Sequence, residues 1–563
     1  MAWVGFVSGF GVKAKRVVGE RCAGRRREFI CLAESGGQAA PAFQRTEDTF
    51  QQDAGKDLFF PGLDEEKAIE LIGTGSTDME DPSERYIAAE RLKFYPSQAS
   101  TDALLKCVND KSSTELYDLI ARRKSIESLG HFKGEFSREE VIETLVSSLQ
   151  SSDPYEAEVA VWALSKLGAK APDVIDAVDA ILDRDDVNKR VVIQSLAQMD
   201  SKKSVDKIRR YLDDEDLATR CSAIGAIYSL SGNDDVMAGI FDVLKSNDLN
   251  QRRAAIEDIT RAKYLPALDR VIETANSLVL KSRAVREMVG AENRREDLEW
   301  NDDLAKKLDI LIWDNPRSIN LLGTVADTSK ARSVQRCVNR LYNNDALQSY
   351  LGAKVLLEDH RDNDEAGAQV LDRFNSMEYF DYFAAYHVFK ALGWLSYKPS
   401  EGLLLDNFRT LPPRFFNHKA GACLSLCKIG SESALDDFLK IGKETNIWEL
   451  KYACLIAAER LGDNRLRREF QDDSDWLIRS RAQTELGFEH LTFILMSELK
   501  DLKLFLTGTN VQTPAVDTIG TTYALLSKQP SRANLELPFP PRMYDQGVGT
   551  GYHQSNEIRV SAD

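Results

Sequence analysis

Apolar positions recur at i, i+3, i+4 and i+7 through most of the chain, the spacing of one helix face, and the segments that carry this pattern repeat. RRKSIESLGHF (122–132), AVWALSKLGAK (160–170), VVIQSLAQMDS (191–201), SAIGAIYSLSG (222–232) and RAAIEDITRAK (253–263) overlay one another. Their last apolar positions, Leu129, Leu167, Met199, Leu230 and Ala262, follow at intervals of 38, 32, 31 and 32 residues. A second run, HVFKALGWL (387–395), ACLSLCKIG (422–430) and ACLIAAERLG (453–462), is anchored at Leu392, Ile429 and Leu461, with intervals of 37 and 32. Each segment follows another helical pattern, such as REEVIETLVSSL or DVIDAVDAIL. Asp153-Pro154, Ala171-Pro172, Asn315-Pro316 and Leu411-Pro412-Pro413 punctuate the series, with Asp or Ser placed to cap the next helix.

A helix pair of this length cannot bury its own apolar face, and stacking in series supplies the missing core. The pattern predicts an all-α chain, an α-solenoid of HEAT-like helical repeats, and no segment argues for a sheet. Two runs of repeats are expected, over 60–290 and 346–490. Between them the period blurs, and 291–345 reads as an irregular helical junction, although DDLAKKLDILIW keeps helical spacing. Residues 491–563 form an extension ending in a Pro/Gly-rich tail that reads as disordered.

Charge separates the first segment from the rest. The chain has 563 residues with 73 basic and 89 acidic side chains, a net charge of −16. Residues 1–34 alone hold seven basic and three acidic side chains, so the remainder carries 66 − 86 = −20. This basic start, with scattered Lys and Arg and no secretory h-region, reads as an organellar transit peptide over 1–45; a retained basic arm is the alternative. The acidic body has no basic excess with which to neutralise phosphates, so nucleic acid and anionic membrane surfaces are not expected partners. No apolar run reaches 18 residues, so no membrane insertion is expected. Eight dispersed Cys do not make a disulfide framework, and Cys423 and Cys427, at i and i+4 on an apolar face, read as small core residues. GVGTG (547–551) follows no strand, and no HExxH, GxSxG or Walker pattern occurs. Six scattered His give no metal-ligand spacing, so no metal is expected.

The repeat segments resemble the HEAT-repeat phycobilin lyases, in particular the phycoerythrobilin lyase branch of the cpeY type and its lyase-isomerase relatives. DEEKAIELI (64–72), SERYIAAERL (83–92), RRAAIEDITRAKY (252–264), LYNNDALQSYLGAKVLLED (341–359), YFDYFAAYHVFKALGWLSY (379–397) and NIWELKYACLIAAERLGD (446–463) carry the likeness. The resemblance implies an enzyme that joins phycoerythrobilin, a bound co-substrate with no prosthetic group besides, to a cysteine of an apo-phycoerythrin subunit, the α subunit by preference. It also implies the plastid stroma, since a nucleus-encoded algal lyase needs a leader. A lyase-isomerase giving phycourobilin and a non-catalytic HEAT adaptor for phycobiliprotein assembly or degradation are the alternatives.

The candidate site residues follow from that chemistry. At 100° per residue Tyr379, Tyr382, Phe383, Tyr386, His387, Lys390 and Trp394 share one arc, opposite Ala384, Val388, Ala391, Leu392 and Leu395. The stripe offers a flat chromophore a surface ringed by donors, with His387 and Tyr386 as the catalytic pair handling the thiol proton; a second packing face is the alternative reading. Asp381 is either a helix N-cap or a catalytic carboxylate for the bilin nitrogens. Arg122 and Arg123 are candidates for the propionates, against interhelical salt bridges. Trp448 and Lys451, at a helix start, are expected on the concave face.

Overall fold

The computed structural model describes residues 63–132, 136–319, 333–361, 364–377 and 380–487. They form helices and turns with no strand among them, the α-solenoid that the repeat predicts. The leader (1–45), the tail (491–563) and Tyr379 lie outside the described residues.

One helix of each pair forms an inner row. In the first run it comprises Ser83–Leu92, Leu116–His131, Pro154–Lys166, Lys189–Gln198, Leu217–Ser231, Leu249–Arg261 and Leu278–Val289; the row resumes as Ala346–Asp359, Tyr382–Trp394, Phe416–Lys428, Trp448–Arg460 and Trp476–Gln483. Successive members pack on one another. Many begin at an acidic cap: the Asp153, Asp216, Asp248, Asp345, Asp381 and Asp475 carboxylates accept from backbone N–H groups of the first turn. Many end at a left-handed residue, Gly168, Asp200, Gly232 and Lys263, then Ser396, Gly430 and Gly462. The following N–H reaches back five residues, as in Ala169 N to Leu164 O and Tyr397 N to Leu392 O, both 3.1 Å. These caps recur at 32, 32 and 31 residues, then 34 and 32, so the turn chemistry keeps the same period as the apolar anchors.

The inner helices are buried on both sides, since each lies between two neighbours. Ala157–Ser165 and Trp448–Ala458 are buried at every position. Close approach sets the spacing at one point: a Cβ on Gly393 would stand 2.4 Å from Ser425 Oγ, so Tyr382–Trp394 and Phe416–Lys428 meet almost backbone to backbone.

The apolar core divides earlier than the blurred period suggests. Within Leu217–Ser231, Ala223, Ala226, Ile227 and Leu230 join the core of the first helices, whereas Cys221 and Ile224 join the core that continues to Ala482. The boundary expected near 290 is therefore bridged by continuous packing. The junction contains the helix Asp302–Trp313, which lies against the second run and packs on Trp448–Arg460.

Candidate functional site

The inner helices carry cations near their starts, and the structure shows what these do. Arg122 Nη1 donates to Asp110 O (3.1 Å) and Ser113 O (2.9 Å). Arg252 Nη1 reaches Ser246 O at 2.8 Å, Lys281 Nζ reaches Ile272 O at 3.2 Å, and Lys419 Nζ reaches Leu411 O at 3.0 Å. Each cation turns back onto carbonyls at or after the end of the preceding helix, groups that helix geometry leaves without internal partners. Arg123 grips Asp153, the cap of the next inner helix, through Nε (2.7 Å) and Nη2 (3.0 Å), and lies 4.8 Å over the Tyr155 ring. Lys451 Nζ meets Asp473 Oδ2 at 2.8 Å. These partners show that Arg122 and Arg123, expected to receive propionates, and Lys451, expected on the concave face, tie neighbouring repeats together. Trp448 is 3% exposed, set edge-on to Tyr452 and under Arg286, in the core rather than lining a groove.

The aromatic stripe of Tyr382–Trp394 divides in two. Its inner part, Tyr386, His387 and Lys390, is buried (5, 9 and 3% exposed) because the end of Asp302–Trp313 fills the space before it. Asp314, in a left-handed conformation after that helix (φ 47°), places its carboxylate at the centre. The Tyr386 hydroxyl donates to Asp314 Oδ2 at 2.7 Å and the Tyr350 hydroxyl donates at 2.8 Å. Lys281 Nζ lies 2.9 Å from Oδ1 and Lys390 Nζ 3.2 Å from Oδ2. Lys390 also donates to the Trp313 and Asp314 carbonyls, both at 2.8 Å. The His387 ring packs edge-on between the Tyr350 and Tyr386 rings, each 5.2 Å away.

The electrostatics follow from burial and this one carboxylate. Burial opposes ionisation of Asp314, but Lys281 and Lys390 outweigh it and hold the carboxyl far below the usual range. Burial pushes Lys390 down to about 8 despite Asp314, and pushes His387 down to about 4, so the imidazole is neutral at pH 7. Both tyrosines are driven well up by burial, with Asp314 adding in the same sense. Tyr386 and His387, expected at an open groove to take a thiol proton, instead form the wall of a closed polar hub.

The outer part of the stripe is exposed. Tyr382 (42%) and Phe383 (41%) open onto solvent. Tyr382 stacks on Phe415, centroids 4.5 Å apart at 5°, with Phe380 beside it and Arg414 5.0 Å over the Phe415 ring. His418 Nε2 lies 2.5 Å from Tyr382 O. Asp381 caps the helix through Oδ1 alone, accepting from Phe383 N (2.9 Å) and Ala384 N (3.0 Å). Its Oδ2 remains as an acceptor at the edge of this platform. At the other end of the helix, Trp394 is partly exposed and faces Trp313 at 5.8 Å.

Two residues central to this architecture, Asp309 and Asp314, are not among the sequence candidates. Asp309 lies on Asp302–Trp313 and accepts from the Tyr452 hydroxyl (2.7 Å) and from Arg481 Nε (2.7 Å) and Nη2 (3.1 Å). An Asp between Leu308 and Ile310 on an otherwise apolar face is the sequence signal that marks it. Among the described residues no cluster of His, Cys, Asp and Glu offers a metal site, and no helix is long and apolar enough to cross a membrane. The six described cysteines are buried; burial pushes Cys427 up to about 11 and Cys221 up to about 12, so these two are poor nucleophiles.

Comparison with known proteins places this architecture. The HEAT repeats family profile matches residues 177–260. The phycocyanin operon protein Y of Pseudanabaena tenuis is 30% identical over 425 residues, which cover 76% of this chain and 98% of that relative. The chain belongs to the HEAT-repeat phycobilin lyase family. The bilin biosynthesis protein CpeY of a Synechococcus species is 26% identical over 428 residues, 73% of this chain and 99% of that protein. The phycocyanobilin lyase subunit alpha of a Nostoc species is 26% identical over 226 residues, 38% of this chain and 80% of that subunit. Among the described residues Tyr382 and Phe383, beside Asp381, are exposed aromatics, as is Tyr117, which stacks on Tyr86.

Proposed function

We propose that this protein attaches phycoerythrobilin, through a thioether bond, to a cysteine of a phycoerythrin subunit, the α subunit by preference. Kinship with the bilin biosynthesis protein CpeY over almost the whole of that relative carries the reading. In this reaction the acceptor sulfur bonds to the ethylidene carbon of the bilin A ring, and the thiol proton ends on the tetrapyrrole. No bond of the enzyme breaks, so its work is to hold bilin and acceptor together and to place a proton.

In this reading the bilin lies across Tyr382, Phe383 and Phe415, its flat rings against theirs. Asp381 Oδ2, left over from helix capping, accepts from the pyrrole nitrogens and is the catalytic carboxylate at the rim. Tyr386, His387 and Lys390 lie inward on the same helix and act as positioning residues: by fixing the helix on Asp314 they fix the platform. The acceptor thiol comes from the partner protein, in keeping with the burial of the enzyme's own described cysteines. Residues 1–45 are proposed as a plastid leader, which a fluorescent fusion of that segment tests by its import. Co-expression with the apo-phycoerythrin α subunit and a phycoerythrobilin source tests the reaction: colour that stays with the subunit on a denaturing gel is expected, and its absence overturns the reading.

A further inference from the structure

Three successive inner helices, Tyr382–Trp394, Phe416–Lys428 and Trp448–Arg460, end at the same register on Trp394, Lys428 and Arg460. The Lys428 ammonium lies 3.7 Å from the centroid of the Trp394 ring and 4.4 Å from that of Trp313. Arg460 stands 5.0 Å from the Trp313 ring, and Lys390 5.8 Å from the Trp394 ring. Among the described residues Lys428 Nζ has no hydrogen-bond partner although the atom is buried, and Trp394 Nε1 is buried without an acceptor as well. The carboxylate that acts on this cluster, Asp314, is already bonded to Lys281, Lys390 and two tyrosines.

The inner-helix cations Arg122, Arg123, Arg252, Lys281, Lys390, Lys419 and Lys451 each meet a carboxylate or a carbonyl. Lys428 meets indole faces alone, an attraction weaker than a charge-assisted hydrogen bond. A buried ammonium held against an indole face, with no acceptor within hydrogen-bond reach, is complementary to an anionic oxygen between apolar walls. Burial pushes the amine well down, and Lys390 and Arg460 add to the shift, so an incoming anion restores its charge. Lys428 and Trp394 are each partly exposed, so the flexible lysine stem can carry its head to an arriving ligand.

We propose that Lys428, Trp394 and Trp313 form a carboxylate subsite that receives a propionate of the bilin. The assignment rests on the bilin-lyase reading and deepens it. It places the ligand's acid group at the C-terminal ends of these helices, about 18 Å along the helix from Asp381 and the aromatic platform, so the ring nitrogen at Asp381 belongs to a terminal ring of an extended bilin. Carboxylate is the class selected because the ammonium matches an anionic oxygen, and the indole walls match a methylene stem.

Binding to the full-length protein tests it, with biliverdin and its dimethyl ester as probes and tryptophan fluorescence quenching as the readout. The free acid is expected to bind at least tenfold more tightly than the ester. Lys428→Met abolishes that preference with an unchanged or higher melting temperature, since no ion pair is lost, whereas Lys428→Arg retains it. Equal affinity of the unaltered protein for acid and ester, with bilin transfer intact, overturns the subsite alone. A preference that survives Lys428→Met does the same. Failure to bind either probe, together with absence of transfer, overturns the lyase reading and the subsite with it.

Discussion

The Tyr386 hydroxyl donates to Asp314 Oδ2 at 2.7 Å, joining the helix Tyr382–Trp394 to the chain that leaves the junction helix 72 positions earlier. With Lys281, Lys390 and Tyr350 on the same carboxylate, this contact locks the second run of repeats onto the end of the first. Removing the charge while keeping the shape leaves two buried ammonium groups without a counter-ion. Asp314→Asn is therefore expected to destabilise the protein by about 3–5 kcal/mol in urea unfolding, and Tyr386→Phe by about 1.5–3 kcal/mol. Losses under about 1 kcal/mol for both would contradict the lock.

Acid weakens the same region in a defined window. An unfolded His binds its proton near pH 6.5, whereas burial delays His387 until about 4. Between these values the unfolded chain holds more protons, so stability falls as pH falls, by up to about 3 kcal/mol. His418, also lowered by burial, acts in the same sense. Asp314, held far below the ordinary carboxylate range, adds a loss that begins as pH drops towards 4. Replacing His387 with Phe should flatten the slope between pH 6.5 and 4 without removing it. An unchanged slope would show that His387 titrates normally.

Arg122 discriminates between a lattice role and a ligand role. Its guanidinium holds two carbonyls and lies 3.8 Å from Glu156. Arg122→Met is expected to cost about 1–3 kcal/mol of stability, from unsatisfied buried acceptors, while bilin transfer by the folded fraction stays within twofold. A fall in transfer with stability unchanged would return this residue to the propionate reading.

The repeat was legible because the apolar period and the cap residues each state it, and the caps fall at 32-residue steps in the structure as the anchors do in the chain. The candidate site was legible only in part. Helical projection places Tyr382, Tyr386, His387 and Lys390 on one stripe, as found, but it cannot tell which neighbour covers a stripe. Asp302–Trp313 covers the inner half and leaves Tyr382 outside. Arg122 and Lys451 look like free cations in one dimension because their partners, a helix-end carbonyl and Asp473, belong to other segments. Lys428 escaped notice for the converse reason: a lysine closing a helix is ordinary, and only its seat between Trp313 and Trp394 sets it apart.

The exposed platform separates binding from folding. Tyr382 and Phe383 are two-fifths exposed but Tyr382 stacks on Phe415, so Tyr382→Ala combined with Phe383→Ser should cost about 1–3 kcal/mol and leave the protein folded. Bilin transfer is expected to fall at least tenfold, as judged by the initial rate of covalent colour formation. Transfer at the unaltered rate would move the bilin off this surface.

The proposed reaction is the formation of a bilin–cysteine bond. Mass spectrometry of the apo-phycoerythrin α subunit, incubated with purified protein and phycoerythrobilin and then denatured and digested, measures this directly. One cysteine peptide heavier by a single bilin is expected, formed only when the protein is present and lost with Asp381→Ala, with the phycoerythrobilin absorbance retained. No adduct, or an adduct that forms equally without the protein, would contradict it.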